Sequence, residues 1–142
     1  MTAGREAGEP NAVSLRVPFQ APSASLVRRQ LRSWLEEQGF KGETIDDARV
    51  VVSELVGNSV RHAAPLPVNE IAVTWGVDNG DLVISVSDGG GGTAPHPVHA
   101  PESAISGRGL SIVTALVDRW WVEANHGQTT VHVRIGLETQ NG

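Results

Sequence analysis

The chain has 142 residues, a formal net charge of −5, 39% hydrophobic and 19% charged residues, and no cysteine. That composition suits one globular domain whose core needs no covalent staple, and it excludes disulfides, thiolate nucleophiles and Cys-based zinc sites. The acidic balance argues against nucleic acid as a direct partner, because that binding runs on phosphate neutralisation by Lys and Arg.

No apolar run approaches the roughly 20 residues of a membrane-spanning helix. The first residues, MTAGREAGEPNA, lack the apolar stretch of a secretory signal. Residues 1–11 read as a disordered lead-in to a single domain over 12–138. No membrane partner is expected, and the cytoplasm is the expected location.

In chain order, VSLRVPF (Val13 to Phe19) alternates apolar and polar residues and predicts a strand. Pro18 has no N–H to give to a ladder, so that strand belongs at a sheet edge. Pro22 and Ser23 open a helix with an apolar stripe of Leu26, Val27, Leu31, Trp34 and Leu35, and Gly39 suits its stop. A second helix is predicted from about Thr44 to Ala64, with Thr44 and Asp47 resembling a capping pair and Pro65 ending the run.

The strands VNEIAVTWGV and DLVISVSD flank Asp78-Asn79-Gly80, a strong hairpin signal. Gly89 to Ser106 is rich in Gly, Pro, His and Ala and has no periodicity. A loop that long inside a compact domain is usually functional, often a lid over about 89–106. A third helix starts near Gly107 and carries Leu110, Ile112, Val113, Leu116 and Val117. A second hairpin, RWWVEANHGQTTVHVRIGL, turns at His126-Gly127. No internal repeat is found. The predicted class is α+β, a two-layer sandwich with helices on one face of a mostly antiparallel, mixed sheet.

The second helix carries polar residues that its packing does not require. Val51, Val52, Leu55, Val56 and Val60 fill one side, and at about 100° per residue Glu54, Asn58 and Arg61 fall on the adjoining flank. Glu54 and Asn58 are one turn apart and project together. Gly57 lies between them, in a position where it weakens a helix by roughly 1 kcal/mol relative to Ala, and its missing Cβ leaves room for an approach. A solvated flank and a site both fit this pattern. His62 reads as a boundary residue bonded to a nearby carbonyl rather than as a ligand. Between Arg61 and Arg108 there is no Lys or Arg, so an anion bound mid-chain must rely on those two, on backbone N–H groups or on a metal ion.

Three motifs follow one another: SELVGNSVRHA on a helix, SDGGGG after a strand, and SGRGLSIV at a helix start. Each alone is weak. In this order and context they resemble the N, G1 and G2 boxes of the GHKL superfamily of ATPases and kinases, over roughly Ala24 to Leu137. SELVGNSVRHA together with GRGLSIVTALVDRWWVE is similar to the anti-sigma-factor serine kinases of the RsbW/SpoIIAB type and to the small bacterial ATP-binding regulators related to them. The resemblance implies the Bergerat ATP-binding fold, with ATP and Mg²⁺ as cofactors.

It also implies roles. Asn58 would hold the Mg²⁺, an ion that takes few ligands from protein and completes its shell with water and phosphate. Glu54 would act as general base toward the attacking hydroxyl, although a Glu at this spacing could also orient a metal-bound water. Asp88 would accept a hydrogen bond from the adenine amino group, and Gly90 would give the base clearance. Gly92 would complete the motif and begin the lid, with Gly89 and Gly91 as spacers. Gly107 and Gly109, followed by Leu110, would bring N–H groups of a helix start to the phosphates. Arg108 is the first side-chain phosphate contact and Arg61 the second. The lid segment has no Lys or Arg, and its His96 and His99 lack a third ligand.

By this resemblance the chain would transfer the γ-phosphate of ATP to a serine of an antagonist protein and sequester a sigma factor or similar partner. A homodimer is implied too, with the first strand and first helix as candidate surfaces. The alternatives are a nucleotide-gated binding module that transfers nothing and, behind it, a hydrolase of the chaperone and topoisomerase kind.

Overall fold

A computed structural model describes residues 12–40, 42–90 and 110–136. The elements are β1 (Val13–Pro18), α1 (Ser23–Glu37), α2 (Glu43–His62), a short 3-10 turn (Pro67–Asn69), β2 (Glu70–Asp78), β3 (Asp81–Asp88), α3 (Ser111–Leu116), β4 (Arg119–Asn125) and β5 (Gln128–Gly136). The strands form one sheet of order β1-β2-β3-β5-β4. Every pairing is antiparallel, so among the described residues the sheet lacks the parallel pair that a mixed sheet would contain. β1 is an edge, and Pro18 closes it opposite Glu70.

Alternation along the strands decides which face is buried. Ile71, Val73 and Trp75 of β2, Leu82, Ile84 and Val86 of β3, and Val133 and Ile135 of β5 are buried. They share one core with Val27, Leu31, Trp34 and Leu35 of α1 and with Ala48, Val51, Val52, Leu55 and Val56 of α2. Burying one such aliphatic side chain contributes about 1.5–3 kcal/mol. The strand residues of opposite parity carry polar bonds instead. Ser85 and His132 meet at 2.7 Å, and His132 reaches Glu123 at 2.8 Å. Arg134 donates to Asp78 at 2.6 Å and to Asp81 at 2.9 Å, and these bonds, Asp78 first, raise its guanidinium further above its ordinary range.

Both hairpins turn through paired left-handed residues, Asn79 (φ 52°) with Gly80 (φ 84°) and His126 (φ 55°) with Gly127 (φ 78°). That is the two-residue turn whose twist matches the flanking strands. Gly39 (φ 97°) ends α1 as expected.

The start of α2 differs from the sequence reading. Its N-cap is Gly42, with no side-chain cap bond, so Thr44 lies inside the first turn and caps nothing. Glu43 and Asp46 in that turn supply the negative charge that a helix N-terminus favours. The segment before β2 turns through Val68 (φ 61°) and Asn69 (φ 62°) rather than running extended. α3 is described from Ser111, while Gly107, where the sequence reading starts it, lies outside the described residues; the Trp120 indole N–H donates to Thr114 at 2.9 Å, tying β4 to α3.

Candidate functional site

The last residue of β3 is the entry point. Asp88 continues the inward parity of Leu82, Ile84 and Val86, so its carboxylate is carried under α2 and is only 4% exposed. There Oδ2 accepts from the hydroxyl of Ser59 at 2.5 Å, and Oδ1 accepts from the backbone N–H of Gly90 at 2.8 Å. An ionised carboxylate has about four acceptor positions, so these bonds are compatible with a further donor from a ligand. Ser59 is itself buried. The sequence reading missed it, because serine inside SELVGNSVRHA looks like any small helix residue until β3 is placed against it.

The strand end is pinned to the connection that follows α2. The N–H of Gly89 donates to the carbonyl of Ala64 at 2.7 Å, and the N–H of Ala64 donates to that of Gly90 at 2.8 Å. A Cβ on Gly89 would stand 2.2 Å from the carbonyl oxygen of Pro65. Gly89 is therefore a close-approach residue and not a spacer. Gly90 has φ +93°, a conformation that favours glycine, and a Cβ there would meet the carbonyl of Gly127 at 3.4 Å.

Asn58 precedes Ser59 on α2, so the expected metal ligand is the helix neighbour of the residue that bonds Asp88, the expected base reader. Asn58 is buried rather than on a solvated flank. Its Oδ1 accepts from Arg61 Nη2 at 3.2 Å, while its Nδ2 has no hydrogen-bond partner among the described residues. Orphaned buried amides are rare in folded proteins. Gly57 fits this arrangement, since a Cβ there would lie 3.0 Å from Arg61 Nη1. The group that approaches the helix at Gly57 is thus the helix's own arginine. His62 is exposed at the helix end rather than lying at the core boundary.

Glu54, one turn before Asn58, lines an open hollow of about 450 Å³ with Arg28, Asp46, Arg49, Val50 and Ser53. Arg28 of α1 donates to Ser53 and to Ser25, both at 3.1 Å, which fixes one wall. Leu110 is buried, and α3 follows it. Gly91, Gly92, Gly107, Arg108 and Gly109 lie outside the described residues, as do His96, His99 and the rest of the segment read as a lid beyond Gly90.

The donor set fits a magnesium–nucleotide pair. Among the described residues no group of three or more His, Cys, Asp or Glu could hold a metal ion. Mg²⁺ needs no such cage: one amide oxygen with phosphate and water suffices. The orphaned Nδ2 of Asn58 is a donor suited to a phosphate oxygen.

The serine-protein kinase RsbW of Bacillus cereus (strain AH820) is 25% identical over 130 residues, covering 84% of this chain and 81% of that one. RsbW of Bacillus thuringiensis (strain Al Hakam) is similar to the same extent. The crystal structure of the RsbU and RsbW domains of Rv1364c from Mycobacterium tuberculosis superposes with a TM-score of 0.67 at 27% identity. That match covers 88% of this chain but 32% of the longer Mycobacterium chain. The model of one family, described as the histidine kinase-like ATPase domain, matches residues 17–135, a span that includes every residue of the site above. This chain belongs to the histidine kinase-like ATPase domain family.

Proposed function

We propose that this chain is an ATP-dependent protein serine/threonine kinase of the anti-sigma-factor type. In this reading a single domain over 12–138 works in the cytoplasm, phosphorylates a serine of an antagonist protein and sequesters a sigma factor or similar partner, with a homodimer as the working form. One observation carries the site: Ser59 ties Asp88 to the helix turn that bears Asn58, with Glu54 one turn earlier beside an open hollow.

ATP with Mg²⁺ would supply the phosphoryl group and the charge that neutralises it in transfer. Asp88 accepts from the amino edge of the base, and Asn58 offers its amide oxygen to the metal. Glu54 accepts the proton of the attacking serine hydroxyl as the Oγ–phosphorus bond forms and ADP leaves. The open hollow lined by Arg28 of α1 and by Asp46, Arg49, Val50 and Ser53 of α2 would give a protein hydroxyl access to Glu54. Gly107, Arg108 and Gly109 are proposed to meet the phosphates, with Arg61 turning from Asn58 to assist. Gly90, Gly92 and Leu110 complete the nucleotide pocket.

The test uses labelled ATP, Mg²⁺ and candidate antagonist proteins. Phosphoserine on the partner is expected, and Glu54→Ala should lower its rate by about 10²–10⁴-fold, the range of a lost general base, while ATP binding persists. Binding of Mg·ATP with no transfer to any native partner would favour the second reading, a nucleotide-gated binding module, and RsbW-like sequestration would then be measured as nucleotide-dependent partner affinity.

A further inference from the structure

Ser59 has no part in the roles implied for Glu54, Asn58 and Asp88, yet it makes the shortest side-chain bond of the site among the described residues, and that bond is buried. Ser59 and Asp88 are 5% and 4% exposed. Buried polar groups are costly unless satisfied, and hydrogen bonds to an ionised partner are the stronger kind. The partners come from elements far apart in sequence, the last turns of α2 and the last residue of β3. With Oδ1 held by the Gly90 N–H and Oδ2 by the Ser59 hydroxyl, both oxygens of the carboxylate are fixed, and so is the plane in which it accepts further donors.

We propose that Ser59 is a positioning residue for base recognition, and that through Asp88 it sets the preference for a purine with an exocyclic amino group over one with a carbonyl at that position. This rests on the reading of Asp88 as the adenine acceptor. The chemistry is asymmetric. An amino group donates to the fixed carboxylate oxygen. A 6-oxo group turns an acceptor toward an acceptor, and a rigid carboxylate cannot rotate away from it. Without the Ser59 hydroxyl, the carboxylate keeps its charge but loses one of the bonds that orient it. Selectivity should fall because binding of the amino purine weakens while that of the 6-oxo purine does not.

The experiment measures dissociation constants of Mg·ATP and Mg·ITP by calorimetry on the full chain. The wild type is compared with Ser59→Ala, Ser59→Thr, Asp88→Asn and the double variant Ser59→Ala/Asp88→Asn, each checked for folding by its melting transition. Wild type should prefer ATP. Ser59→Ala should weaken ATP by about tenfold, the size of one hydrogen bond to a charged group, with ITP little changed. Ser59→Thr keeps the hydroxyl and should retain the wild-type ratio. In the Asp88→Asn background, Ser59→Ala should leave the ATP-to-ITP ratio where Asp88→Asn alone puts it, because the two residues act as a unit.

An unchanged ratio in folded Ser59→Ala would overturn the positioning role while leaving the nucleotide site standing. So would equal weakening of both nucleotides, the mark of a merely structural serine. If Ser59→Ala does not fold, the ratio in Ser59→Thr and the melting behaviour of Asp88→Asn decide instead: a Thr variant that loses the preference overturns the proposal. Wild type that binds neither nucleotide would overturn the reading of Asp88 itself, and this inference with it.

Discussion

Three glycines around the site answer to different constraints, and substitution should separate them. Gly89 has no room, since an added Cβ lies 2.2 Å from the Pro65 carbonyl oxygen, a backbone atom that cannot step aside alone. Gly89→Ala should therefore destabilise by about 1–3 kcal/mol, the range for overpacking, as read from denaturant unfolding. Gly90 has more room but needs φ +93°, so Gly90→Ala should cost about 1–2 kcal/mol through backbone strain. Gly57 faces only the far end of Arg61. Gly57→Ala should raise stability by about 1 kcal/mol through helix propensity while it displaces the guanidinium from Asn58. A fall in melting temperature for Gly57→Ala would show that the Arg61–Asn58 bond outweighs the helix gain.

Elements were legible in the sequence where local chemistry alone decides them. Asp78-Asn79-Gly80 fixes a turn because the backbone there must be left-handed twice, and Asn and Gly are the residues that tolerate it. The Leu31 and Leu35 stripe of α1 reads correctly for the same reason, because a helical period has only one face to bury. Thr44 failed as a cap, since Gly42 takes that position and nothing local separates two plausible starts two residues apart. The spacer role given to Gly89 failed on different grounds: the atom that excludes a side chain belongs to Pro65, distant in sequence and invisible before the fold brings it near. Ser59 was unreadable in the same way: motif chemistry singles out Glu54, Asn58 and Asp88 as candidates, whereas the Ser59 bond to Asp88 follows only from packing. At this scale Leu31→Ala, which empties the fully buried contact between α1 and the core, should cost about 2–5 kcal/mol in denaturant unfolding.

At the scale of the whole molecule, one sheet face carries the helices and the candidate site lies where α2 meets the end of β3. A ligand that binds only the folded chain must raise its stability, by about 2.7 kcal/mol at a hundred times its dissociation constant. Millimolar Mg·ATP should therefore raise the melting temperature of the wild type and raise that of Asn58→Ala less. The reciprocal bonds between Ala64 and the Gly89–Gly90 backbone have a further consequence, in the language of exchange kinetics. These amides lie in connections, where hydrogen atoms ordinarily trade with solvent within seconds to minutes. Because they lock the strand bearing Asp88 to the chain leaving α2, they should instead exchange only in the sub-global openings that release the core. Deuterium uptake at Ala64 and Gly89 should be as slow in the free protein as in the nucleotide-bound one, the signature of a floor that is already set before any ligand arrives.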